Sequence, residues 1–293
     1  MDKASLQAFI SIIVILLIAA GIAFAGSQGG YTVSGIPIYT LCVAVAFLIQ
    51  WVAFVPAYIR QTEKFFDLTG SFTYIAVVLL AVALSPIVDS RSLILLVLVS
   101  VWAIRLGSFL YRRIAATGED RRFREIKKSF PRFLVTWTLQ GLWVTFSLAA
   151  ALAAITTKLR LDLGVFALTG FLVWLFGFGF EVFADWQKSK FKANSENAGK
   201  FINIGLWSWS RHPNYFGEIV LWIGIALIAF PVLRGWQWLT LISPIFIILL
   251  LTRISGVPML EARADEKWGG QEDYEAYKSK TSVLIPRPPS EFK

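Results

Sequence analysis

Charge is scarce in this 293-residue chain: 16% of the residues are Asp, Glu, Lys or Arg, against about 25% in ordinary soluble domains. Cysteine and histidine are rarer still, one of each. The lone Cys42, inside an apolar run, excludes an intrachain disulfide and any thiolate-based metal site. The lone His212 excludes sites that need two imidazoles, and no metal is expected. Apolar residues fill the space instead. They make up 56% of the chain, with 24 Phe and 12 Trp, and the mean hydropathy is +0.64. A disordered chain and a cytosolic globular enzyme are both excluded by this balance, which points to an integral membrane protein. Basic residues outnumber acidic ones by 28 to 19. In so apolar a chain this is no sign of nucleic acid, because cytoplasmic loops of membrane proteins collect Lys and Arg.

Runs of 18 or more apolar residues are long enough to cross a hydrocarbon layer of about 30 Å as helices. They occur at 6–25, 36–59, 71–88, 92–111, 133–155 and 163–184. A seventh run, 218–253, is too long for one span, and Pro231, Arg234 and Gly235 break it into a hairpin. The expectation is an all-α polytopic membrane bundle of seven or eight helices. The first run lacks a small-residue cleavage site and reads as a retained helix. With the N-terminus cytoplasmic, all the Lys and Arg face the cytoplasm except Arg91, Lys158, Arg160 and Arg234. Both termini are therefore expected on the cytoplasmic side, and a bacterial inner membrane is the expected location.

Three clusters remain outside the apolar runs. The segment 111–132, with GEDRRFREIKK, reads as a solvated basic loop. Arg105, one to two turns inside a helix, needs a partner or a wet cavity. In FGFGFEVFADWQKSKFKANSENAGK, residues 176–200, Glu181 and Asp185 share a helix face, and Gly177 and Gly179 permit close approach by a helix or ligand. Lys188, Lys192 and Arg105 are candidate partners for the two carboxylates. In GLWSWSRHPNYFGEIVLW, residues 205–222, Pro213 suits the first turn of a helix whose open N–H groups, with Arg211, suit a phosphate or carboxylate. Asn214 and Glu218 share a face of that helix. Arg253 is expected at the end of the last span, followed by 254–293 as an amphipathic cap over the cytoplasmic opening or a tail lying on anionic lipid.

At these residues the sequence resembles the steroid 5-alpha-reductase family, in its bacterial branch. The likeness is strongest from 171 to 286, in GLWSWSRHPNYFGE, EVFADWQKSKFK, SGVPMLE and EDYEAYKSKTSVLIP, with weaker agreement at 63–70 and 101–124. It implies NADPH in a cytoplasm-facing cavity and a lipid-soluble enone entering from the bilayer. It divides the chain into N-terminal transmembrane helices at 1–62 and a reductase-like domain at 63–293. The cofactor contacts it implies fall on Arg105, Glu181, Asp185, Lys192, Lys200, Arg211, His212, Asn214, Tyr215, Glu218, Arg253 and Tyr277. The family's catalytic Glu corresponds to Asp67, in FFDLTG, and its Tyr to Trp102. An indole donates a hydrogen bond but transfers no proton near neutral pH, so a protonated Asp67 is the expected donor to the carbonyl oxygen. An R-H-P-x-Y element also occurs in membrane methyltransferases, which keeps open an S-adenosylmethionine-dependent enzyme, and a non-catalytic membrane protein is the third reading. A monomer is expected, although no residue pattern fixes the oligomeric state.

Overall fold

The computed structural model describes residues 3–118, 120 and 123–288. Arg121 and Arg122, counted among the cytoplasmic charges, lie outside the described residues. Seven helices are long and apolar enough to cross a membrane, and eight spans result if a bent pair is counted as one more. The chain forms two compact units, residues 1–167 with 226–243, and residues 168–225 with 244–293.

The first unit holds α1 (Lys3–Ser27), α2 (Ile38–Ile59), α3 (Phe66–Leu84) and α4 (Ser90–Thr117). A two-residue hairpin, Thr32–Val33 paired with Ile36–Pro37, joins α1 to α2. Helix α3 starts a turn earlier than the apolar run, because Asp67 in its first turn complements the helix dipole. Asp89 caps α4 by accepting the Ser92 N–H at 2.9 Å. Burial alone would raise the Asp89 pKa, but the Ser92 bonds and Arg160 outweigh it and hold the carboxyl below its ordinary range.

The single span expected at 133–155 is instead α5 (Phe130–Ser147) and α6 (Ala149–Thr156), bent by 56°. The Ser243 hydroxyl donates to the Ser147 carbonyl at 2.5 Å. A side chain that captures a ladder carbonyl is a recognised cause of such kinks.

Three of the four basic residues assigned to the far side are tied into the first unit. Arg91 is 1% exposed and donates to the carbonyls of Ile228, Leu161 and Asp162 at 2.9, 3.2 and 3.0 Å. Arg160 lies 3.4 Å from Asp89, and Arg234 donates to Leu233 and Pro231 carbonyls. The basic 111–132 segment is more than a solvated loop. Phe123 is buried with Phe54, Phe66, Phe133 and Trp137, while Lys127 reaches buried Glu63 at 2.7 Å.

In the second unit the antiparallel helices α7 (Val165–Ala193) and α8 (Pro213–Ala229) approach through glycine. A Cβ on Gly177 would lie 2.5 Å from Leu221 N and 2.7 Å from Gly217 O; one on Gly224 would lie 2.6 Å from Gly170 O. Gly179 meets open space and is not part of this seam. After Gly235 the last span runs through α9 (Ile242–Leu249), a π-helical turn (Leu250–Ile254) and α10 (Gly256–Trp268), followed by α11 (Glu272–Lys280). Arg253 is therefore an exposed residue of a mid-span π-turn rather than the end of a helix.

Candidate functional site

The seam between α7 and α8 brings the end of α7 to the segment 205–212, and α10 and α11 close over it. A cleft of about 270 Å³ opens there. It is lined by Lys188, Lys192, Lys200, Arg211, Arg263 and Lys267, with Glu261 as its one carboxylate among the described residues. Its apolar wall includes Phe201, Trp207, Trp268, Tyr274 and Tyr277. Phe201 packs on Tyr274 and Tyr277 with ring centroids 5.3 Å apart in both pairs.

Glu261 is engaged by two bases at once. Its carboxylate lies 3.1 Å from Arg211 and 2.7 Å from His212 Nε2. Arg211 also donates to the Lys278 carbonyl at 3.0 Å, and its own N–H donates to the Ser282 carbonyl at 2.9 Å. Ser210 donates to the Leu284 carbonyl at 2.8 Å. The segment carrying the Arg-His pair is thus braced against residues 278–284. Burial lowers the His212 pKa below its ordinary value of 6.5, against the opposing pull of Glu261. A neutral ring donating from Nε2 to Glu261 leaves Nδ1 as an acceptor. That buried nitrogen has no hydrogen-bond partner among the described residues. Tyr277 donates to the Trp207 carbonyl at 2.6 Å, and burial raises its pKa. Lys188 sits 4.1 Å over the Trp207 ring.

Of the sequence-derived candidates, Lys192, Lys200, Arg211, His212 and Tyr277 line this cleft. Glu181 and Asp185 are buried on α7, where a Cβ on Gly217 would lie 2.6 Å from Glu181 N. Tyr215 stacks on His212 at 5.7 Å. Asn214 and Glu218 are half-buried on α8, and these residues, like Glu181, Asp185 and Arg253, lie outside the cleft lining. Sequence reasoning missed Glu261, Arg263 and Lys267, which were read only as part of a cap. Their signal was the turn-by-turn spacing of an amphipathic helix, with Lys267 beside an aromatic.

Asp67, Trp102 and Arg105 belong to the first unit. Asp67 lies 3.8 Å from Arg113, and Arg105 lies over Phe109 at 5.4 Å. Trp102 is buried and meets Tyr74 edge-on at 5.1 Å. A Cβ on Gly107 would lie 2.7 Å from Ser71 Oγ. Asp67, Ser71 and Tyr74 thus form one stripe of α3 facing α4, which the sequence marked by its spacing of four and three. Tyr74 was not among the expected residues. Among the described residues no group of three or more His, Cys, Asp or Glu is placed to hold a metal ion.

These features define an integral membrane protein of packed helices with a cationic, aromatic-walled cleft. The chain belongs to the family described as Protein of unknown function (DUF1295), whose model matches residues 53–281. It is similar to 3-oxo-5-alpha-steroid 4-dehydrogenase 1 of Rattus norvegicus, 28% identical over 171 residues, covering 55% of this chain and 58% of the relative. The proteins of the same name from Mus musculus and Bos taurus are each 29% identical over 119 residues, 41% of both chains. The chain therefore spans about half the length of these relatives. The resemblance to steroid 5-alpha-reductases holds. No solved structure matches the chain.

Proposed function

We propose that this protein is a membrane reductase that uses NADPH to reduce a C=C bond conjugated to a carbonyl in a lipid-soluble substrate. One observation supports the cofactor most: six basic side chains line the cleft, and the one carboxylate in that lining, Glu261, is already engaged by Arg211 and His212. Such a surplus suits phosphates, and its aromatic wall suits a purine ring. At about 270 Å³ the cleft is slightly smaller than the usual ligand pocket of about 300–1,000 Å³, so it suits the phosphate-bearing end of a dinucleotide. Lys188, Lys192, Lys200, Arg263 and Lys267 would hold the phosphates, with Arg211 and His212 braced behind them. NADPH supplies the hydride, which no side chain can.

The chain's own contribution to the chemistry is a donor for the carbonyl oxygen as negative charge develops there. Asp67, 3.8 Å from Arg113, would keep the part expected of it from the sequence, at the carbonyl oxygen. Tyr74, packed on Trp102, is the group of the stripe with a phenolic proton to give. The orientation we propose places both termini in the cytoplasm of a bacterial cell and the membrane as its inner one.

The test is a titration of the purified protein with NADPH and with S-adenosylmethionine, followed by turnover of a hydrophobic enone. NADPH should raise the melting temperature, and Lys200→Glu with Lys267→Glu should weaken it by about tenfold, ~1.4 kcal/mol. Tyr74→Phe and Asp67→Asn should lower turnover more than NADPH affinity. Stabilisation by S-adenosylmethionine alone would overturn the reading in favour of a methyltransferase.

A further inference from the structure

The last turns of α7 sort their lysines by side. Lys188 and Lys192, four apart, line the cationic cleft. Lys190 lies about 200° round the helix from Lys188, and its ammonium sits 5.2 Å over the Trp186 ring. Trp186 stacks on Phe183 at 5.4 Å, and both rings are about half exposed, at 52% and 48%. Further back along the helix Leu168, Leu172, Leu175 and Phe176 are exposed too. The outward stripe therefore runs apolar, then Trp, then Lys. In a bilayer that order marks the passage from acyl chains to headgroups, where Trp rings settle and Lys reaches outward.

A second groove, of about 360 Å³, opens at this level; it shares Phe191 with the cationic cleft but none of its basic residues. Trp186, Phe191 and Ile204 form its apolar wall, and Lys190, Asn194 and Asn197 its polar one. Asn197 commits its amide nitrogen to the Phe191 carbonyl at 3.0 Å, which fixes the amide plane and turns its oxygen to the role of acceptor. Asn194 caps the next turn through the Glu196 N–H at 3.0 Å. One cation, a hydroxyl acceptor and an aromatic wall thus sit together at the end of a lipid-facing stripe.

We infer that this groove seats one phospholipid with an anionic, hydroxylated headgroup. The phosphate lies against Lys190, a headgroup hydroxyl donates to the Asn197 amide oxygen, and an acyl chain runs along Trp186 and Phe183. This site is separate from the proposed reductase activity and stands whether or not that reading holds.

The test is native mass spectrometry of the full chain in nanodiscs holding equal phosphatidylglycerol and phosphatidylcholine. Wild-type protein should retain phosphatidylglycerol, and Lys190→Glu, Lys190→Gln and Trp186→Ala should each lose it several-fold at an unchanged melting temperature. Lys192→Glu, on the opposite side of the same helix, should retain it. Retention by both Lys190 variants would overturn the inference, as would equal loss in Lys192→Glu or equal retention of phosphatidylcholine. Displacement of the lipid by soluble glycerol phosphate would do the same, since it would mark a site for a free phosphate.

Discussion

Two glycines on one helix, two residues apart, should respond to the same substitution with opposite sign. In Gly177→Ala the new methyl would lie 2.5 Å from Leu221 N, 2.7 Å from Gly217 O and 3.0 Å from Val220 C. All three atoms are backbone of α8, so no rotamer change relieves the contact and the helices must separate. Overpacking of this kind costs about 1–3 kcal/mol. In Gly179→Ala the methyl meets nothing within 4 Å, and replacing a mid-helix glycine by alanine gains about 1 kcal/mol of helix propensity. Gly177→Ala gains the same propensity, so the separation between the two variants is the overpacking cost itself, roughly 1–3 kcal/mol. Thermal unfolding in one detergent, with wild type alongside, should place Gly179→Ala at or above wild type and Gly177→Ala well below it. Equal midpoints for the two variants would refute the close antiparallel seam. The seam also positions the end of α7, whose Lys188 and Lys192 line the cleft, so Gly177→Ala should also weaken NADPH binding there.

Further outcomes follow from single contacts. Glu261→Gln removes the carboxylate shared by Arg211 and His212. It should cost about 1–3 kcal/mol in unfolding experiments, and a change near zero would remove Glu261 as the brace. His212 has a folded pKa below its ordinary 6.5, so the folded state binds fewer protons than the unfolded one beneath that value. Stability should be flat above about pH 6.5 and fall as the pH drops below it; melting curves in which His212→Gln shows the same decline would contradict this. Arg91→Leu deletes a buried guanidinium that serves three carbonyls, leaving acceptors whose exposure to apolar surroundings costs about 1–3 kcal/mol each. A clear drop in melting temperature is expected, and Arg91→Lys should recover only part of it.

The spans were legible because length and hydropathy alone decide whether a helix can cross a bilayer. Their ends were not, since polar residues such as Asp67 and Lys188 to Lys192 continue a helix when the dipole favours them. The break at Ser147 was invisible in the sequence, because its cause is a hydroxyl from Ser243, distant in the chain. The Arg211–His212 pair was visible as a motif, whereas its partner Glu261 sits in an ordinary amphipathic helix with nothing local to single it out. Gly177 and Gly179 looked alike, and only the position of α8 separates them. Tyr74 carries no local signal, since an aromatic residue inside an apolar helix is ordinary packing.

The proposed activity requires the lysine-rich cleft to receive a phosphorylated nicotinamide cofactor. An experimental structure of the full chain with added NADPH tests it most directly. Density for the dinucleotide phosphates is expected between Lys192, Lys200 and Lys267, with Arg211 still bound to Glu261. Dinucleotide density elsewhere on the chain, or a sulfonium nucleoside co-purified in this cleft, would contradict it.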